Sequence, residues 1–242
     1  MAHGYPDYGL AAAIQNIYAV VDLGELAARL GSGVNYDRLG NAVLVDDFSA
    51  GLGAWDQGTG DVGDSVTLGV GDGKDGAYCA KLGVAGGALN EASVSRYVLY
   101  SLPGKFGLEV SFSLTVSMST VDVTFRYVKG GTMTDAQLRY DVVAGTLGVK
   151  TTGGGYQTIA TGVALKTGAS VYHTMKLAMD SDTARYVRVR VDDVTYSIPA
   201  VAVYQETTGE KNALWVDVTC VSVALLSSTL RVDNVVVTQN EP

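Results

Sequence analysis

The chain has 242 residues, 47% of them hydrophobic, with a formal net charge of −8 at pH 7 and a pI near 4.7. This acidity excludes a nucleic-acid-binding protein, which needs a basic surface to neutralise phosphates. No run of about 20 apolar residues is present, so the sequence predicts no membrane span. The N-terminus lacks the pattern of a standard secretory signal, so we expect a protein made in a cytoplasm or one whose signal has been removed.

Cys79 and Cys220 are the two cysteines, and both lie in strand-like runs. Two cysteines in a chain of this length do not make a disulfide framework. They are either buried free thiols or one bridge. Neither His3 nor His173 has an evident partner in the sequence, so a cysteine nucleophile is not expected.

Residues 1–9 have the character of an extended arm, and residues 10–30 predict a helix that ends at Gly31-Ser32-Gly33. The polar residues of this helix fall on one narrow stripe, so most of its circumference is apolar. Such a helix must be covered from more than one side, either by its own domain or partly by neighbouring subunits, and the second arrangement is favoured. The residues expected at this interface are Tyr5, Tyr8, Ile14, Ile17, Val21, Leu26 and Leu30.

Residues 34–45 form two strand-like runs around Gly40-Asn41, which predicts a hairpin that leads into the main domain. Beyond it, strand patterns repeat with Gly, Asp, Asn and Ser between them. The predicted strands are 42–48, 65–70, 77–84, 93–100, 107–117, 121–128, 136–143, 147–151, 156–161, 172–180, 185–192, 194–198, 214–225 and 229–238.

Alternation is clearest in residues 186–191, where the valines are expected to face the core and Arg188 and Arg190 to face solvent or a partner. The run from Val191 to Val194 predicts a tight hairpin. Many short strands with almost no helical pattern predict a mainly β protein built as an antiparallel two-sheet sandwich. We therefore divide the chain into an N-terminal arm and assembly helix, residues 1–33, and a hairpin entry with one sandwich domain, residues 34–242.

Three stretches of the sandwich resemble the concanavalin A-like or laminin-G-like jelly rolls. They are residues 45–55 (VDDFSAGLGAW), residues 172–198 with the predicted hairpin, and residues 230–238 (LRVDNVVVT). The last stretch also looks like the closing strand of many carbohydrate-binding modules. Together the three frame nearly the whole sandwich, and the resemblance implies a jelly-roll fold.

The N-terminal part resembles the leaders of virion structural proteins from tailed bacteriophages. The resemblance is carried by residues 22–32 (DLGELAARLGS), 36–41 (YDRLGN) and 46–48 (DDF), and covers about a fifth of the chain. It implies a non-enzymatic protein that decorates or cements a phage capsid, or is associated with the tail. Such a protein is a symmetric homo-oligomer that is made in the host cytoplasm, resides in the virion and binds other virion proteins.

Glycoside hydrolases on this type of sandwich resemble one another in a strand with the pattern Glu-x-Asp-x-(x)-Glu, and their chemistry needs paired carboxyl groups. None of the glutamates of this chain stands in that pattern, and no hydrolase, metalloprotease or phosphate-loop motif is present. We therefore expect no enzyme, no catalytic residue and no resident cofactor.

The alternative is that the protein holds one structural calcium ion. Related carbohydrate-binding sandwiches often hold calcium near the first and last strands, which would make Asp46, Asp47 and Asp233 its ligands. Otherwise these carboxylates satisfy turns and strand ends.

A sugar site needs aromatic side chains on a concave face or a loop rim. Trp55, Tyr156 and Tyr186 are candidates by residue type, whereas Trp215 lies in an apolar strand and is predicted to be in the core. The leading hypothesis is the virion structural protein, and the alternative is a carbohydrate-binding, lectin-like module. Neither hypothesis involves nucleic acid or a membrane.

Overall fold

The computed structural model describes residues 40–74, 77–86, 91–98, 104–223 and 226–242. Every regular element in these ranges is a β-strand, and they contain no helix long and apolar enough to cross a membrane. The predicted arm, the predicted helix and the first half of the predicted entry hairpin lie outside the described residues. The seven residues predicted for the assembly interface lie outside them too.

Sixteen strands are found in the described part of the chain. They are β1 (Asn41–Asp46), β2 (Asp56–Thr59), β3 (Ser65–Val70), β4 (Tyr78–Val84), β5 (Glu91–Val98), β6 (Lys105–Leu114), β7 (Met118–Lys129), β8 (Thr132–Asp141), β9 (Thr146–Lys150), β10 (Tyr156–Thr161), β11 (His173–Asp180), β12 (Arg185–Val191), β13 (Val194–Tyr196), β14 (Tyr204–Thr207), β15 (Ala213–Ser222) and β16 (Ser228–Gln239).

The strands form two eight-stranded antiparallel sheets, which confirms the predicted sandwich. Sheet I has the order β13-β12-β11-β6-β16-β4-β3, and β1 joins it beside β16. Sheet II has the order β10-β9-β8-β7-β15-β5-β2, and β14 pairs with residues 132–135 of β8, beside the part of β8 that pairs with β9. On one side β16 pairs with β6 along most of its length; on the other it pairs first with β4 and then with β1.

The core lies between the two sheets and is filled by alternate residues of each strand. In β7, for example, Val121, Val123 and Phe125 are almost fully buried in this layer. Because successive side chains of a strand point to opposite faces, Asp122 and Thr124 must then lie on the outer face of sheet II. The same alternation in the neighbouring strands builds the polar surface described below.

Two strands were not predicted from the sequence. β2 (DQGT) and β14 (YQET) are short, largely exposed and without apolar alternation. Each pairs with a single strand, β2 with β5 and β14 with β8. Their backbones, not their side chains, attach them to the sheet, so the sequence pattern carries no signal for them.

The predicted hairpin between β12 and β13 is confirmed, with Val191 paired to Val194 across a two-residue turn. Asn41, which was predicted to lie in a turn with Gly40, is instead the first residue of β1 and pairs with Gln239. The expectation that Arg188 faces solvent or a partner is also wrong. Its guanidinium is largely buried and donates to Glu241 Oε2 at 2.6 Å.

Candidate functional site

A polar groove of about 450 Å³ runs across the outer face of sheet II. Its floor is a grid of outward-pointing residues from the central strands β5, β15, β7 and β8. The register places Ser95, Asp217, Thr124 and Gln137 in one row across these strands. The next row contains Ser93, Thr219, Asp122 and Arg139, and on the other side lie Tyr97, Trp215, Arg126 and Asp135. We call this surface the sheet II groove.

Ion pairs between neighbouring strands fix the charged side chains of the groove. Arg139 donates from Nε and Nη2 to the two carboxylate oxygens of Asp122, at 2.7 and 2.6 Å. Lys150 on β9 donates to Asp135 Oδ2 at 2.7 Å. Both aspartates are almost fully buried, so these contacts compensate charges that have lost most of their water. Burial raises the pKa of the Asp122 carboxyl, and the hydrogen bonds from Arg139 oppose that rise.

Aromatic rings lie among these charges. The guanidinium of Arg126 lies over the ring of Trp215, 5.2 Å from its centroid, and Tyr97 contacts the same ring from β5 at 5.5 Å. The guanidinium of Arg139 lies 4.0 Å from the ring centroid of Tyr156 on β10. Cation–π contacts of this kind hold the rings in a defined orientation.

Gly148 explains how Tyr156 reaches Arg139 from two strands away. It lies on β9 between them and pairs with Arg139. A β-carbon at this position would lie 3.4 Å from the Tyr156 β-carbon and 3.8 Å from its ring. Larger side chains would therefore occupy the space in which the ring and the guanidinium meet.

Asp217 differs from the other groove aspartates because no cation within the described residues pairs with it. Its Oδ1 accepts a hydrogen bond from Thr219 at 2.6 Å, and the side chain is half-buried at the centre of the sheet. Burial raises the pKa of the Asp217 carboxyl from 3.8 to about 6. It is therefore ionised at neutral pH at an energetic cost to the fold.

Two polar atoms in the groove are buried without a hydrogen-bond partner. They are Oδ1 of Asp135 and Nε of Arg126, which lie 3.7 Å apart, too far for a hydrogen bond between them. Buried polar atoms are normally satisfied, so these two atoms are exceptions within the groove.

Of the three aromatic residues predicted to contact a glycan, the structure places only Tyr156 in the groove. Trp55 is 4% exposed and stacks on Phe48 in the core at a ring distance of 5.2 Å. Tyr186 is also buried; its hydroxyl donates to the Lys150 carbonyl at 2.8 Å and accepts from the Gln137 amide at 3.2 Å. Tyr186 therefore supports the groove from below, through the backbone of sheet II.

Trp215 was predicted to lie in the core, but the structure places it in the groove. Its strand is apolar because Leu214, Val216 and Val218 face the core, but Trp215 itself points to the outer face with Asp217. It is 9% exposed because Arg126 and Tyr97 cover it. An alternation count through Trp215-x-Asp217-x-Thr219 would have indicated this outward position.

The three aspartates predicted as calcium ligands are not brought together. Asp46 accepts hydrogen bonds from the Trp55 indole at 3.1 Å and from Arg96, whereas Asp47 bonds Ser49 in the following turn. Asp233 accepts the Lys74 amide at 2.7 Å. The described residues contain no group of three or more His, Cys, Asp or Glu side chains that could hold a metal ion.

The cysteines and the second histidine lie away from the groove. Cys79 and Cys220 are both free thiols with no exposed surface, and burial raises the pKa of the Cys220 thiol to about 12. His173 Nδ1 is 2.8 Å from Asp192 Oδ2, and its Nε2 is 3.0 Å from the Lys166 carbonyl. No pattern in the sequence indicates these partners, which the β12–β13 turn and the loop before β11 bring close to the imidazole.

The groove does contain several carboxylates, which the sequence analysis did not expect. Asp122, Asp135 and Asp217 come from three different strands, so no single-strand motif reveals them. Asp217 lies opposite Thr124, which is two residues along β7 from Asp122, so these two aspartates are diagonal neighbours.

No family model and no curated protein matches this sequence. Solved structures do match its fold. A carbohydrate esterase from the Shiga toxin-encoding bacteriophage phi24B matches with a TM-score of 0.55 at 12% identity, over 84% of this chain and 100% of the esterase chain. A β-glucanase from Bacillus licheniformis matches with a TM-score of 0.51 at 12% identity, over 83% of this chain and 99% of the glucanase.

A sialidase also matches, with a TM-score of 0.53 at 14% identity, over 86% of this chain. The chain spans only 19% of the sialidase, so it corresponds to one part of that protein. At such low identities these likenesses establish the fold alone. The chain has an antiparallel two-sheet jelly-roll sandwich, the fold that it shares with these chains.

Proposed function

We propose that this chain is a glycan-binding module that holds an oligosaccharide in the sheet II groove. The observation that carries the proposal is the grid of hydroxyl, amide and carboxylate groups beside the aromatic rings of Trp215 and Tyr156. Sugars are recognised by hydrogen bonds to their hydroxyls and by contact of their apolar faces with aromatic rings. The presence of a carbohydrate esterase, a β-glucanase and a sialidase among the fold neighbours supports a carbohydrate ligand.

Binding without hydrolysis fits the groove better than catalysis does. A hydrolase needs two carboxyl groups that are free to exchange protons or attack the sugar. Asp122 and Asp135 are each held by a cation. Asp217 and Glu91 form no ion pair with any described residue, but Asp217 lies opposite Ser95, four residues along β5 from Glu91, which separates their backbones by about 13 Å. We expect no release of reducing ends when the protein is incubated with a glycan that it binds.

A glycan array, followed by calorimetry on the best ligand, tests the proposal. Tyr156→Ala should weaken binding at least fivefold, because it removes a ring from the groove wall. The matched control is Tyr196→Ala on β13, which removes a half-buried tyrosine from sheet I and should leave the affinity unchanged. Equal loss in both variants, or no binding to any glycan, would overturn the proposal.

A structural role in a phage particle is a second candidate function, and the esterase of a bacteriophage among the fold neighbours favours it. In this role the chain forms a homo-oligomer in the virion and contacts other virion proteins through residues 1–33. Light scattering on the full chain and on a chain without residues 1–32 tests it. We expect a defined oligomer for the first and a folded monomer for the second. Monomers in both cases would refute assembly through this segment.

A further inference from the structure

The charges of the sheet II groove are unequally satisfied. Every cation of the groove lies within ion-pair distance of a carboxylate: Arg139 is 2.6 Å from Asp122, Lys150 is 2.7 Å from Asp135, and Arg126 is 3.7 Å from the same Asp135. By contrast, two of the carboxylates, Asp217 and Glu91, form no ion pair with any described residue. The charge left over in the groove is therefore negative.

This imbalance determines which ligand groups the groove accepts. An anionic sugar would bring its carboxylate towards Asp217 and Glu91 without an unpaired cation to receive it. Like charges placed together in this way repel each other and weaken binding. A hydroxyl or an amine, in contrast, donates a hydrogen bond to a carboxylate, and such charge-assisted bonds are stronger than neutral ones.

We propose that the sheet II groove selects neutral and amino sugars over acidic sugars, and that Asp217 is the acceptor that receives a hydroxyl or amine of the bound sugar. This inference rests on the proposed glycan-binding function. Asp217 lies at the centre of the floor, and Thr219 orients its carboxylate and leaves Oδ2 for a ligand.

The test compares matched pairs of oligosaccharides that share one backbone and differ only in the C6 group. β-1,4-linked glucose oligomers and their C6-oxidised, uronic-acid forms make one such pair. β-1,4-linked glucosamine oligomers, which carry an amine at C2, are tested beside them as a cationic ligand. For whichever backbone binds, we expect the uronic form to bind at least tenfold more weakly than the neutral form at low salt. Added salt should narrow this difference, since it screens the repulsion.

Asp217→Asn removes the charge and keeps an oxygen that Thr219 can still bond. It should weaken binding of the neutral sugar severalfold and reduce the discrimination against the uronic form. Glu91→Gln, at the exposed end of β5, should reduce the discrimination against the uronic form and leave the affinity for the neutral sugar unchanged. Asp193→Asn in the β12–β13 turn removes an exposed charge outside the groove and should change neither value.

The outcomes separate the two proposals. If no glycan binds, the proposed function fails and this inference fails with it. If glycans bind but the uronic forms bind as tightly as their neutral partners, only the charge selection is wrong. If discrimination persists in Asp217→Asn and Glu91→Gln, the selection has a different origin from the one inferred here.

Discussion

Arg139 and Asp122 face each other across β8 and β7 and form a two-pronged ion pair on the floor of the groove. Asp122 is 3% exposed, so loss of the guanidinium leaves a buried carboxylate without a counter-charge. We expect Arg139→Gln to lower the free energy of unfolding by about 2–4 kcal/mol in urea denaturation at pH 7.

Asp122→Asn combined with Arg139→Gln should be less damaging than Arg139→Gln alone, because the double variant contains no buried charge at this position. A double-mutant cycle measures this coupling. Additive effects of the two substitutions would show that the pair does not act as a unit.

Trp55 is expected to contribute to stability and not to ligand binding. It stacks on Phe48, and its indole donates to Asp46, which also pairs with Arg96. Trp55→Ala should cost about 3–5 kcal/mol in the free energy of unfolding, as for other buried aromatic residues. Trp55→Phe retains the ring and should cost about 1 kcal/mol. The glycan affinity of Trp55→Phe should equal that of the unmodified protein, and a large loss would place Trp55 in the binding site after all.

Asp217 is expected to reduce stability at neutral pH. Burial raises the pKa of its carboxyl from 3.8 to about 6, so the folded protein holds this proton more tightly than the unfolded chain does. The protonated carboxyl contributes favourably to the free energy of unfolding. This contribution is complete below pH 3.8 and is lost as the pH rises through about 6. Asp217→Asn should therefore stabilise the protein by about 1–2 kcal/mol at pH 7, with solvent screening part of the effect.

The stabilisation gained from Asp217→Asn should shrink steadily as the pH falls from 6.5 to 4. At pH 4 position 217 is uncharged in both proteins. Urea denaturation at four or five pH values in this range measures it. A gain that does not vary with pH would mean that the aspartate charge is not its cause.

His173, on β11 of sheet I, should also make the stability of the protein depend on pH. Burial lowers the pKa of its imidazole, but the hydrogen bonds to Asp192 and to the Lys166 carbonyl raise it more, so the folded value lies above 6.5. The stabilising effect of the charged ring is complete below pH 6.5 and is lost as the pH rises through the folded value.

His173→Gln should accordingly destabilise the protein by about 1 kcal/mol more at pH 6 than at pH 8.5, as measured by thermal or urea unfolding. Asp192→Asn is the companion variant, because it removes the main group that raises the histidine pKa. An equal loss at both pH values for His173→Gln would mean that the ring acts only through packing.

The sandwich was predictable because its signal is local to each strand. Alternation in β7, β12 and β15 identifies strands and their buried faces without any knowledge of their neighbours. The groove was not predictable in this way, since Asp122, Asp135 and Asp217 become neighbours only through strand order and register. Trp55 and Tyr186 show the reverse error: aromatic residue type suggested a sugar contact, but long-range packing placed both in the interior. Trp215 was assigned to the core because its apolar neighbours masked its own outward direction.

The position of β16 has a consequence for how the chain acquires its structure during synthesis. β16 is the last strand of the sandwich to leave the ribosome, yet it lies between β6 on one side and β4 and β1 on the other. Until residues 228–239 have emerged, these three earlier strands have no central partner, and sheet I exists only as fragments with open edges. Folding of the sandwich must therefore wait for its final strand, and the nascent chain depends on protection from aggregation until that moment.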